Sequence, residues 1–223
     1  MAAIPQQTTR ESAAAVLHGV SYKEYARLVK LDANRHLRMA YHDGTLEIMS
    51  PNIQEHEKPS RRISLVVTTV AVARGVMYEA TGSGTYHRAG DGPRKGAGRE
   101  ADQSFYFQNV DRFPMDRDPD LDAGDPPPDL WVEVDNRASS RAKLPTYARL
   151  GVPEVWQYRS PSRQLRFFRL IGQAYEPIDR SLALDVLTPG LVLEALAAGI
   201  GLREGAWLPW LNRWAEQFPP GRP

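Results

Sequence analysis

PPDLWVEVDNRASSRAKLPTYARLGVPEVW, residues 127–156, decides how this chain is read. A short apolar run, Leu130–Val134, carries one acid, Glu133, and a small polar loop follows. A helical segment then brings Lys143 and Tyr147, and a second strand ending in Trp156 closes a β-α-β unit. Strand alternation sends Leu130, Val132 and Val134 to one side and Asp129, Trp131, Glu133 and Asp135 to the other. One side is expected to meet the core, the other to line a cleft bearing acids. A mid-strand carboxylate must be hydrogen-bonded, paired or metal-bound, because burying it bare costs several kcal/mol.

Asp129 is a poor partner for Glu133. Four residues along a strand span roughly 13 Å, whereas carboxylates sharing one Mg²⁺ each lie about 2.1 Å from it. Asp102, at the start of a strand expected near Ala101–Phe107, is the better candidate, since paired strands lie about 4.8 Å apart. Two readings stay open at this point. Asp102 and Glu133 hold one ion, or Asp102 caps a loop while Glu133 pairs with Arg137 or Arg141. Lys143 and Tyr147, four apart, share a helix face. Pro145 is tolerated only in a helix's first turn, so that helix is expected to begin near Lys143. A lysine there could orient a nucleophilic water or stabilise charge on a phosphate, or be an ordinary solvated lysine.

Outward from this unit, Ser21–Leu31 reads as a helix with Ser21 and Glu24 as its capping box. Residues 37–50 form a hairpin with an Asp43-Gly44 turn. A long helix is expected from about Ile53 to Gly75, burying Ile63, Val66, Val67, Val70 and Val72. Strands are expected at Val76–Thr81, Leu165–Leu170, Ala174–Pro177 and Leu182–Val186, and helices at Leu191–Ala198 and Leu202–Phe218. Residues 82–99 read as a Gly/Arg-rich loop and 110–128 as a Pro/Asp loop. The pattern is α/β with a mixed sheet flanked by helices. Residues 1–20 are taken as an N-terminal extension, 21–200 as the domain, and 201–223 as a C-terminal helix with a Pro-rich tail.

At 223 residues, 28 basic against 27 acidic side chains leave a net charge of +1, so no global field points to nucleic acid. Binding would need a local patch, and Arg88, Arg94, Lys95 and Arg99 are candidates for phosphate contacts; a mobile surface loop is the competing reading. No cysteine is present, which excludes disulfides and thiolate metal sites and fits a cytoplasmic setting. No run of about 18 apolar residues suggests a membrane span. The Asp116–Asp125 run lacks the glycine of a calcium loop and reads as solvated. Arg61-Arg62 reads as a solvated helix face, and the C-terminal tryptophans as packing or a homodimer contact.

The order of motifs is a DG hairpin ending in Met49-Ser50-Pro51, then Glu55-His56 opening the long helix and a strand-borne Asp102. Pro128-Asp129-Leu130, Val132-Glu133-Val134, the K-x3-Y of Lys143 and Tyr147, and Gly151-Val152-Pro153-Glu154 before Trp156 follow. This order resembles the Uma-type putative restriction endonuclease family, a domain of unknown function in the PD-(D/E)XK nuclease superfamily, over roughly residues 21–196. The resemblance implies a restriction-endonuclease-like core and Mg²⁺- or Mn²⁺-dependent hydrolysis of DNA. It also implies roles: Asp102 and Glu133 as metal acids, Glu55 as the helix acid with His56 its companion, and Lys143 as the catalytic lysine, with Asp135 and Tyr147 as accessory candidates. Ala101 stands where the family has proline, Asn136–Ser139 replace its small loop, and Asp135 takes the position of the E-x-K lysine. Asp135 and Pro145 favour the alternative, a catalytically silent DNA- or protein-binding domain on the same scaffold.

Overall fold

The Asp43-Gly44 turn, with φ of 40° and 93°, sets the first sheet. Two successive positive φ values match the right-handed twist of flanking strands, and the turn joins β2 (Arg38–His42) to β3 (Thr45–Met49). β1 (Ala13–His18) adds to β3, while β6 (Gly96–Glu100) adds to β2 and β5 (Thr85–Ala89) to β6. The result is a five-stranded antiparallel sheet, β1-β3-β2-β6-β5. In this computed structural model, residues 13–34, 36–49, 54–135 and 143–221 are described, with only the backbone of 13, 14 and 54–57.

α1 (Tyr22–Val29) begins at Ser21, whose capping box with Glu24 is formed on both sides. It covers one face of this sheet, with Tyr25 stacked on Tyr41 at 4.9 Å between ring centroids.

The second sheet has the order β11-β10-β9-β8-β7-β4, from β4 (Glu79–Ala80), β7 (Gln103–Tyr106), β8 (Leu130–Asp135), β9 (Glu154–Arg159), β10 (Gln164–Ile171) and β11 (Ala174–Ile178). Only β8 and β9 run parallel, because α3 (Leu144–Leu150) carries the chain back between them. On one face, Leu130, Val132, Trp156 and Phe167 pack against α2 (Gln54–Ala73), α4 (Pro189–Ala198) and α5 (Glu204–Ala215) in the main core. On the other, Trp131 and Val155 meet Tyr86 of the first sheet and Tyr147 of α3. The fold is therefore mixed α/β, with α2, α4 and α5 on one face of the second sheet and α3 packed on its other face against the first sheet, consistent with a restriction-endonuclease-like fold. No helix among the described residues is long and apolar enough to cross a membrane.

Several expectations need correction. Residues 82–99 are not a loop but contain β5 and most of β6. The strand expected over Val76–Thr81 shrinks to Glu79–Ala80. Val72 faces solvent, 67 % exposed, because the helical period carries it past the buried stripe of Ile63, Val66, Val67 and Val70. Leu182–Val186 is not a strand: its Leu182 and Ala183 N–H groups donate to the Glu154 carboxylate instead of to a ladder. The acidic loop is tied down, with Asp122 accepting from Tyr22 Oη and Ala89 N, and Leu121 buried. Arg61 pairs with Glu204, and Arg62 donates to the Gly199 and Leu202 carbonyls beyond α4, so neither residue is merely solvated.

Candidate active site

Glu133 sits where the two sheets face each other. Both faces of β8 are covered, so the acids of its second face lie inside the inter-sheet layer rather than in an open cleft. Asp129, Glu133 and Asp135 are 5 %, 2 % and 5 % exposed. Trp131, two residues before Glu133 and on the same face, donates its indole N–H to Glu133 Oε1 at 2.7 Å.

Asp102 comes to the same place. β7 pairs antiparallel with β8, Gln103 opposite Val132, so the residue before Gln103 falls opposite Glu133. Asp102 Oδ2 accepts from Val134 N at 2.8 Å, and Oδ1 accepts from Arg38 Nη2 at 3.1 Å. Asp129 stays apart, as its spacing requires. It accepts from Phe107 N, Asn109 N and Asn109 Nδ2, a structural cap.

Lys143 is the N-cap residue of α3, and Pro145 lies in the first turn, where its missing N–H costs nothing. Lys143 Nζ lies 3.8 Å from Glu133 Oε2. Tyr147, one turn on, is fully buried beside Trp131, with ring centroids 5.2 Å apart. Burial raises the Tyr147 hydroxyl well above its ordinary pKa and Glu133 adds to this, against the pull of Arg99.

Arg99 on β6 completes the group, 3.9 Å from Glu133 Oε1 and over the Tyr147 ring at 5.9 Å. Its burial opposes the charge, yet Tyr147, Glu133 and Asp102 together hold it protonated. Arg88 lies over Gly151 beyond α3. Arg94 and Lys95 precede β6 whereas Asp102 follows it, so about five strand residues, roughly 17 Å, separate them from the acids. Lys95 there pairs with Asp43. The backbone of Glu55 and His56 lies in the first turns of α2; their side chains, like Arg137 and Arg141, lie outside the described residues.

Among the described residues, two buried donors beside Glu133 have no hydrogen-bond partner: Arg99 Nε and Nε2 of Gln157, its register partner on β9. Orphaned buried donors call for an acceptor, such as a water or a phosphate oxygen. Among the described residues no cluster of three or more His, Cys, Asp and Glu side chains converges. A pair of hard carboxylates suits Mg²⁺ or Mn²⁺, which take oxygen ligands and complete their shell with waters, and does not suit a closed zinc site. Each carboxylate oxygen has a second lone pair beyond the donors named above. The residues present fit such an ion.

Residues 22–201 match the model of the Uma2 family, described as "Putative restriction endonuclease". The chain belongs to this family. No curated protein matches it. Uma2 membership carries a nuclease-like character, and restriction-endonuclease-like proteins usually use divalent metals.

Two participants escaped the sequence reading. Arg38 and Gln157 stand far along the chain from their partners, and no local spacing marks them. Glu154, another buried strand acid two residues from a tryptophan, lies outside the site: it accepts from Trp156 Nε1 at 2.6 Å and from Ser181, Leu182 and Ala183 on the opposite face of the sheet.

Proposed function

We propose that this chain is a Mg²⁺- or Mn²⁺-dependent endonuclease that hydrolyses phosphodiester bonds in DNA. The observation that supports this reading best is the meeting of Asp102 and Glu133 on neighbouring strands with the Lys143 ammonium beside Glu133. Asp102 and Glu133 would hold the ion, with Glu55 assisting from α2. Once bound, such an ion polarises the phosphate and lowers the pKa of water. Lys143, its side chain 30 % exposed, can orient the attacking water from the open side of the group. Arg99 presents a fixed guanidinium to charge developing on the phosphate. Tyr147, its hydroxyl pushed well above its ordinary pKa, lays its ring beside Arg99.

The test is Mg²⁺-dependent cleavage of supercoiled and linear DNA by the wild type, Asp102→Ala and Glu133→Ala. Loss of cleavage in both variants with an unchanged fold supports the reading. Equal cleavage in all three proteins overturns it.

One observation favours the silent-scaffold reading: Asp102 already bonds Arg38, and Glu133 already bonds the Trp131 indole. A silent DNA- or protein-binding domain would leave the wild type without cleavage and without Mn²⁺ heat at any concentration.

A further inference from the structure

Arg38 is shared between two acids. Its Nη2 lies 3.1 Å from Asp102 Oδ1 and its Nε 3.2 Å from Glu100 Oε1. The two acids differ in surroundings: the Asp102 side chain is 2 % exposed, that of Glu100 21 %. Burial disfavours the Arg38 charge, yet Asp102 and Glu100 hold the guanidinium protonated. Glu100 also lines a cavity of about 630 Å³ bounded by Val29 at the end of α1, Lys30 just beyond it, His87 of β5 and Asp118–Asp120. That cavity gives the Glu100 end of the pair room to shift.

We infer that Arg38 competes with the divalent ion for Asp102, and that Glu100 is the carboxylate that receives Arg38 when the ion binds. This rests on the metal-site reading above and adds its control. Without an ion, a buried Asp102 needs a counter-charge, and Arg38 supplies it. With an ion on Asp102, the same guanidinium becomes a like charge a few ångströms away and is repelled. Glu100, already in contact with Nε, lets the side chain move by rotation instead of leaving the protein. Arg38 thus keeps the site neutral when empty and sets the ion concentration at which it fills. It is a positioning residue, touching the ligand Asp102 and not the substrate.

The two acids make opposite predictions, read by Mn²⁺ calorimetry on wild type, Arg38→Gln, Glu100→Gln and the double variant. Arg38→Gln should tighten Mn²⁺ binding about tenfold and Glu100→Gln weaken it about tenfold. In the Arg38→Gln background, Glu100→Gln should change affinity by less than about twofold, because its effect runs through the arginine. A Glu100→Gln effect of equal size in both backgrounds is simple charge loss and overturns the inference. So does Arg38→Gln binding no tighter than wild type. If all four proteins bind Mn²⁺ alike, the metal site stands and this control falls. If none binds, both fall. Should Arg38→Gln not fold, Arg38→Lys replaces it: one ammonium cannot span both acids, so Glu100→Gln should again lose its effect.

Discussion

Lys143 reaches Glu133 from the start of α3, Nζ standing 3.8 Å from Oε2. That distance exceeds a direct hydrogen bond and leaves the oxygen open to another partner. Lys143→Met is therefore expected to keep Mn²⁺ affinity at or above wild type while cleavage falls about 10²–10³-fold. Calorimetry and single-turnover cleavage separate the two effects. Weakened Mn²⁺ binding would show that the lysine supports the site structurally.

Asp129 is buried and accepts three donors from the Phe107–Asn109 turn. Asp129→Ala strands those donors, and a loss on the order of 3 kcal/mol is expected from urea unfolding. Mn²⁺ affinity should not change. A variant as stable as wild type would contradict the assignment of Asp129 to the fold alone.

Glu154 gives the pH dependence. Burial raises its carboxyl above the ordinary value of 4.5, despite donors from Trp156, Ala183, Ser181 and Leu182. A raised folded pKa means that the protonated acid is favoured in the folded state. Its stabilisation is complete below about 4.5 and is lost as pH rises through the folded value. Glu154→Gln does not titrate and should flatten that part of the stability profile. Identical slopes for variant and wild type in urea titrations across this range would refute the prediction.

Gly98 on β6 has no room for a side chain, since a Cβ there would overlap the buried Tyr25 hydroxyl and ring. Gly98→Ala should cost about 1–3 kcal/mol and lift α1 from the first sheet. Calorimetric melting, with Tyr25 fluorescence as a local probe, would detect both. An unchanged melting temperature would mean that α1 yields without cost.

Local rules made much of this fold legible. Ser21 and Glu24 announce α1, Asp43-Gly44 announces the first hairpin, and alternation in LWVEV assigns Leu130 and Trp131 to opposite cores. The β5–β6 hairpin was hidden because Gly96 and Gly98 lower strand propensity, and the glycines are there to admit Tyr22 and Tyr25. Leu182–Val186 has strand-like residues, but its backbone donors serve a carboxylate from a distant strand, which no local pattern reveals. Within the candidate site, Glu133 stands out as a mid-strand acid, Asp102 follows from the pairing of its strand with β8, and Lys143 from its place at the start of α3. Arg38 could not be read: it meets Asp102 from 64 residues away, through the pairing of β2 with β6.

The central claim is that Asp102 and Glu133 bind one divalent ion together. Crystals soaked in Mn²⁺ and measured for anomalous scattering test it directly. The account predicts a single peak within bonding distance of both carboxylates, absent from Glu133→Ala crystals, with Arg38 turned toward Glu100. No peak at saturating Mn²⁺, or a peak elsewhere while Arg38 remains on Asp102, would contradict it.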